Sequence, residues 1–185
     1  MKRAKLNNKK ESTSVSAHGV SVKRFVITYL ILVGAFYFLI WYVPLHKVLD
    51  VNGVYTKGVV VATSKLLGLI GVPCTYSGSI INLPSMGLDV KFGCNGLEAV
   101  MIYSVAVVAF PAAWKKRLLG LFAGFVILQI VNVLRIAALA FSALHYRNLF
   151  EYIHVYVAQG IMIAVALGVF FLYLNHVQNE DSASA

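Results

Sequence analysis

The sequence predicts an all-α polytopic membrane protein: four transmembrane helices, an interfacial amphipathic helix and a small external β-hairpin. Three observations carry that expectation. Of the 185 residues, 59% are hydrophobic and only 12% charged, where a soluble domain has about 25% charged residues; mean hydropathy is +0.78. Apolar runs long enough to cross a bilayer recur along the chain. The net charge of +9 is gathered in clusters beside those runs, as charge that sets membrane orientation is. No nucleic-acid motif accompanies it, so no nucleic-acid partner is expected.

The elements follow in order. Residues 1–24 form a basic cytoplasmic tail with Lys2, Arg3, Lys5, Lys9, Lys10, Lys23 and Arg24; positions 1–20 are polar and expected to be mobile. The first span is 25–43, FVITYLILVGAFYFLIWYV, read as a retained anchor because no small-x-small cleavage site follows it. Trp41 and Tyr42 suit the outer interface. The second span is 97–114, the third opens at 118 and runs to 144 through Arg135, and the fourth is 155–174. Residues 175–185 are a second cytoplasmic tail, which leaves 25–174 as the membrane-embedded domain.

Charge bias fixes the topology. The basic leader puts the N-terminus in the cytoplasm, and Lys115, Lys116 and Arg117 put the second cytoplasmic loop there. The span 97–114 then runs inward, and residue 94 is outside. The chain between Pro44 and Cys94 must therefore cross the membrane an even number of times. The stretch 58–72, GVVVATSKLLGLIGV, is too short for a span and carries Lys65, so it reads as the interfacial amphipathic helix. Leu88, Val90 and Phe92 alternate with Asp89 and Lys91, the pattern of a half-buried strand; with SIINL before it and PSMG between, it reads as the external hairpin. Both termini are then cytoplasmic, in a cell inner membrane, with ten basic residues on that side and five outside.

Within this frame three polar residues reach one depth. Arg135 lies seventeen residues after Leu118, a climb of about 26 Å through a hydrocarbon core of about 30 Å. Cys94 stands at the outer mouth of the second span, in the stretch FGCNGLEA, and His154 opens the fourth. Cys94 precedes a helix, whose free N–H groups and dipole favour an anion, so its thiolate is the candidate nucleophile. His154 is the candidate general base and acid. Arg135 stays charged and is the candidate electrostatic stabiliser. An arginine inside a membrane segment marks a functional site. Asn132, one turn earlier, is placed to orient Arg135 or to donate to an oxyanion. Asn95 and Glu98 are supporting residues, Glu98 as a first-turn charge or a partner of Arg135. Gln129 and Gln159 read as interhelical hydrogen bonders, Tyr103 and Ser104 as packing, and His145 and Arg147 as solvated loop residues.

Each member has a plainer reading: Arg135 as a snorkelling anchor, His154 as an interfacial residue, Cys94 as a small hydrophobe. Cys74 is also external, where a Cys74–Cys94 disulfide can form. The two cysteines have neither CxxC spacing nor a Cys/His pattern suited to zinc, so no metal or cofactor is expected.

The ordered set GCNGLEA (93–99), NVLRI (132–136) and His154 resembles the exosortase/archaeosortase family, over roughly residues 54–174. With one span before the core, the chain is similar to compact members of the exosortase H kind. The resemblance implies a polytopic cysteine transpeptidase with an outward-facing Cys–Arg–His site: Cys94 as nucleophile, Arg135 as the arginine of the second motif, His154 as the third member. It implies substrates that are exported proteins ending in a short motif, a transmembrane helix and a basic cluster. These are cleaved through a thioester acyl-enzyme and passed to an acceptor, in contact with membrane lipids. Other readings are a non-catalytic membrane subunit or assembly factor, a thiol–disulfide membrane enzyme using Cys74 and Cys94, and a small transporter lined by Gln129, Asn132 and Gln159.

Overall fold

The computed structural model describes residues 22–41, 51–91, 93–145 and 152–183. The expected tail over 1–20, Tyr42, Phe92 and Arg147 lie outside them, as do the side chains of Trp41 and His145. Helix α1 is Val22–Trp41, α2 Val51–Leu69, α3 Leu97–Ala109, α4 Trp114–His145 and α5 Ala158–Ala183; a π-helical turn, Ile153–Val157, leads into α5. Among the described residues two helices are long and apolar enough to cross a membrane, α4 over Trp114–Leu144 and α5 over Ala158–Asn179; α3 is a shorter apolar helix.

The expected span over 97–114 is not one helix, and the reason is Pro111. A residue before proline is driven out of the α region, and Phe110 is extended at φ −76°, ψ 129°. Helix α3 therefore ends at Ala109. The basic cluster is not a loop: Lys115, Lys116 and Arg117 form the first turn of α4. Residues 175–183, expected as a tail, are the last turns of α5.

Helix α4 is the spine, packed against α2, α3 and α5, while α1 lies on α3. Two apolar cores form along it. Near its start, Leu128 joins Tyr103, Val107 and Phe110 of α3 and Val169, Tyr173 and Val177 of α5, with Phe25 of α1 packed alongside. Toward its end, Ile136, Ala137 and Ala140 meet Val59, Val60 and Leu67 of α2 and Ile81, Leu83, Leu88 and Val90 of the sheet. Thr56, Val59, Val60, Thr63, Ser64 and Leu67 are buried, a stripe at helical spacing, while Lys57 and Lys65 are exposed. Helix α2 thus buries one face, and it begins seven residues before the expected start at 58.

The expected hairpin gains a strand. β1 (Thr75–Ser77), β2 (Ile80–Asn82) and β3 (Gly87–Asp89) form one antiparallel sheet in that order. Ser77 pairs with Ile80 and Ile81 with Leu88. Leu88 and Val90 are buried and Asp89 and Lys91 are not, so the alternation read from the sequence holds.

Close helix approach is built at glycine. A Cβ on Gly124 would lie 2.0 Å from the Tyr103 ring, and one on Gly120 would lie 2.5 Å from the Tyr173 ring. The Tyr103 hydroxyl donates to the Gly120 carbonyl at 2.8 Å. Small residues let helices pack tightly where lipid offers no hydrophobic drive. Gly124→Ala must push Tyr103 aside, and overpacking of this kind costs about 1–3 kcal/mol. Thermal unfolding in detergent is expected at a lower temperature than for the parent chain.

Candidate active site

The site is built where the sheet hands the chain to α3. After β3 the backbone turns through Gly93–Cys94–Asn95–Gly96, with Gly93 at φ +87° and Gly96 at φ +81°. Both values lie in the left-handed region, where a Cβ costs about 1–2 kcal/mol. The Cys94 and Asn95 amides both donate to the Lys91 carbonyl at 2.9 Å. The turn presents Cys94 three residues before α3, at its N-terminal end.

Asn95 locks that turn from below. It is 0% exposed. Its Nδ2 donates to Asn52 Oδ1 at 2.8 Å and to Thr56 Oγ1 at 2.9 Å, both on α2, and its Oδ1 accepts from the Leu97 amide at 3.1 Å. Asn132 of α4, also 0% exposed, donates through Nδ2 to the Asn95 carbonyl at 2.5 Å. Three segments therefore meet on one asparagine. A buried polar side chain is costly unless it is satisfied, and Asn95 is satisfied on every side.

Arg135 lies one turn beyond Asn132 and is 8% exposed. Its Nη2 donates to the Cys94 carbonyl at 2.7 Å and sits 3.4 Å from Cys94 Sγ. The expected meeting of guanidinium and sulfur is thus present. Helix rise accounts for much of it: from Trp114 to Arg135 α4 climbs about 31 Å, and the thirteen-residue α3 returns about 18 Å of that before the non-helical 110–113 link.

His154 lies in the π-helical turn before α5. Tyr173 touches α4 at Gly120; fifteen residues from Gly120 to Arg135 rise about 22 Å, and nineteen from Tyr173 to His154 about 28 Å. The imidazole therefore comes within about one helical turn of the depth of Arg135, near enough for the Arg135 charge to act on it. Burial first, and the Arg135 charge second, hold His154 below the usual imidazole pKa. A neutral ring that can accept a proton is favoured.

Glu98 is the first-turn charge of α3 expected of it; its Oε1 accepts from the Tyr37 hydroxyl of α1 at 2.7 Å, while Arg135 serves Cys94. Asn132 serves the Asn95 carbonyl and not Arg135. Gln129 makes the interhelical bond expected of it, accepting from the Tyr55 hydroxyl at 2.6 Å. Both cysteines are free, and the Cys74 thiol faces the Ser64 carbonyl at 3.6 Å. Among the described residues no cluster suits a metal ion. Asn52, Thr56 and Tyr37 were not legible as site residues: each is an ordinary polar residue in an apolar helix, and only the fold brings it to the turn.

Two measurements check this geometry. Gly96→Ala combines backbone strain with a Cβ 2.6 Å from the Asn132 amide. It should lower stability by more than the roughly 1–2 kcal/mol of the left-handed conformation alone; Asn132→Ala should return only the contact part in a double-mutant cycle. For His154, an NMR titration should give a pKa below about 6.5, and Arg135→Gln should raise it, because the repelling charge is gone.

No curated protein and no solved structure matches the chain. The sequence model of one family, described as transmembrane exosortase, matches residues 25–174, which include the Cys94 turn, Asn132, Arg135 and His154. The chain belongs to the transmembrane exosortase family.

Proposed function

We propose that this protein is a membrane-embedded cysteine transpeptidase that removes the C-terminal sorting tail of exported proteins and transfers the remainder to an acceptor. The observation that supports it most is the Arg135 guanidinium shared between the Cys94 carbonyl and sulfur, near the depth of His154. In this reading α1, α3, α4 and α5 all cross the bilayer, α3 with the help of the 110–113 link. The Lys115–Arg117 end is cytoplasmic, and α2 and the sheet cover the outer face.

The chemistry balances with these three side chains. His154 takes the Cys94 proton. The sulfur attacks the carbonyl carbon of the scissile peptide, and Arg135 stabilises the developing oxyanion. His154 then gives its proton to the leaving nitrogen, the C–N bond breaks, and the tail departs as an amine. The thioester left on Cys94 is attacked by an acceptor nucleophile, whose proton passes to His154; the thiolate leaves. Water as acceptor gives plain hydrolysis.

The experiment is precursor accumulation. With Cys94→Ala, a co-expressed protein ending in motif, apolar helix and basic cluster should remain uncleaved. Arg135→Gln should slow cleavage by about 10²-fold or more. Cys74→Ser should process at the parental rate; loss of function in Cys74→Ser as well as in Cys94→Ala would favour thiol–disulfide chemistry instead.

A further inference from the structure

A lateral groove of about 520 Å³ runs beside the site. Its walls are Ala99, Ile102 and Ala106 of α3 and Ile163, Ala166 and Leu167 of α5, with Phe25 and Tyr29 of α1 also lining it. Ile163 and Leu167 are 54% and 53% exposed, so the groove opens sideways. Phe25 marks one end, stacked on Phe170 and edge-on to Phe110, close to the start of α4. At the other end stand Glu98 and Gln159, the polar lining chains besides the tyrosines among the described residues. That end adjoins the Cys94 turn: Glu98 Oε2 lies 4.0 Å from where a Gly93 Cβ would be.

Resting on the transpeptidase reading, we propose that this groove grips the apolar helix of the sorting tail, with Glu98 and Gln159 receiving that helix's first turn beside Cys94. Length agrees: the α5 wall from Gln159 to Phe170 spans about 16 Å, or three helical turns. Ala99, Ala106 and Ala166 give a low floor on which a helix backbone can lie.

The charge agrees as well. In a tail ordered motif, helix, basic cluster, the helix begins just after the scissile region, with its N-terminus at the Cys94 end. The first four N–H groups of a helix have no internal partner, and unsatisfied groups in lipid are expensive. That end of a helix carries positive dipole charge. A carboxylate and an amide oxygen at the groove's end supply acceptors of the right sign. A phospholipid chain would leave them facing hydrocarbon, and its phosphate would be repelled by Glu98.

Photocrosslinking tests this. The full chain carries Cys94→Ala and p-benzoylphenylalanine at Ile163, in membranes holding an exported reporter whose tail the parental chain processes. A light-dependent adduct with the reporter's tail helix is expected from Ile163 and not from the exposed Phe122 of α4. Adducts with phospholipid alone, or equal reporter adducts from both positions, overturn the proposal. In processing assays Glu98→Leu should slow cleavage about tenfold, the scale of a lost helix cap, and Ala166→Trp should slow it further. If Cys94→Ala abolishes processing while both groove variants cleave at the parental rate, the groove assignment fails and the transpeptidase stands. If Cys94→Ala still processes the reporter, the transpeptidase reading itself fails.

Discussion

The fold is organised around one contact, the Arg135 guanidinium on the backbone and sulfur of Cys94. A charge at a helix position inside or at the edge of lipid is costly; insertion scales put an arginine at about 2.5–3.5 kcal/mol at the membrane centre. Hydrogen bonds to a charged group return about 1.5–3 kcal/mol each, so the contact offsets much of its cost without being a large source of stability. The contact fixes a cation beside a thiol at little net cost to folding. The same guanidinium also lowers the proton affinity of His154.

Around this contact the structure spends its polar residues in one place. Asn95, Asn132, Asn52 and Thr56 bind the turn to α2 and α4, and the tyrosine-on-glycine contacts set the heights of α3 and α5 against α4. Those heights matter because helix rise is a ruler. A shift of one residue on α5 moves its start by about 1.5 Å, and hydrogen-bond geometry does not tolerate such errors.

Much of this was legible in the sequence, for reasons that can be stated. Arg135 and His154 stand out because charge is rare in apolar runs, and the basic clusters supply a reference height from which helix rise locates them. The β3 alternation was readable because burial imposes a period, and α2 was readable as a helix outside the spans because its apolar run is short and carries Lys65. The break at Phe110 was readable too, in Pro111, but an unbroken apolar composition across 97–114 hid it. β1 was missed because three residues are too few to show a period. The Asn95 network was invisible for a different reason: Asn52 and Thr56 lie about forty residues away in sequence, and no local pattern couples them to the turn. Glu98 was legible as a first-turn charge of α3, but its Tyr37 partner, sixty-one residues away, was not.

On the proposed transpeptidase reading Cys94 becomes acylated during turnover. Incubation with a tailed substrate, rapid acid quench and intact-mass spectrometry with peptide mapping tests it directly. A hydroxylamine-sensitive adduct is expected on Cys94, equal in mass to the substrate's portion ahead of the scissile bond less water, and lost when His154 is replaced by alanine. Turnover with no adduct at Cys94, or an adduct on Cys74, would contradict it.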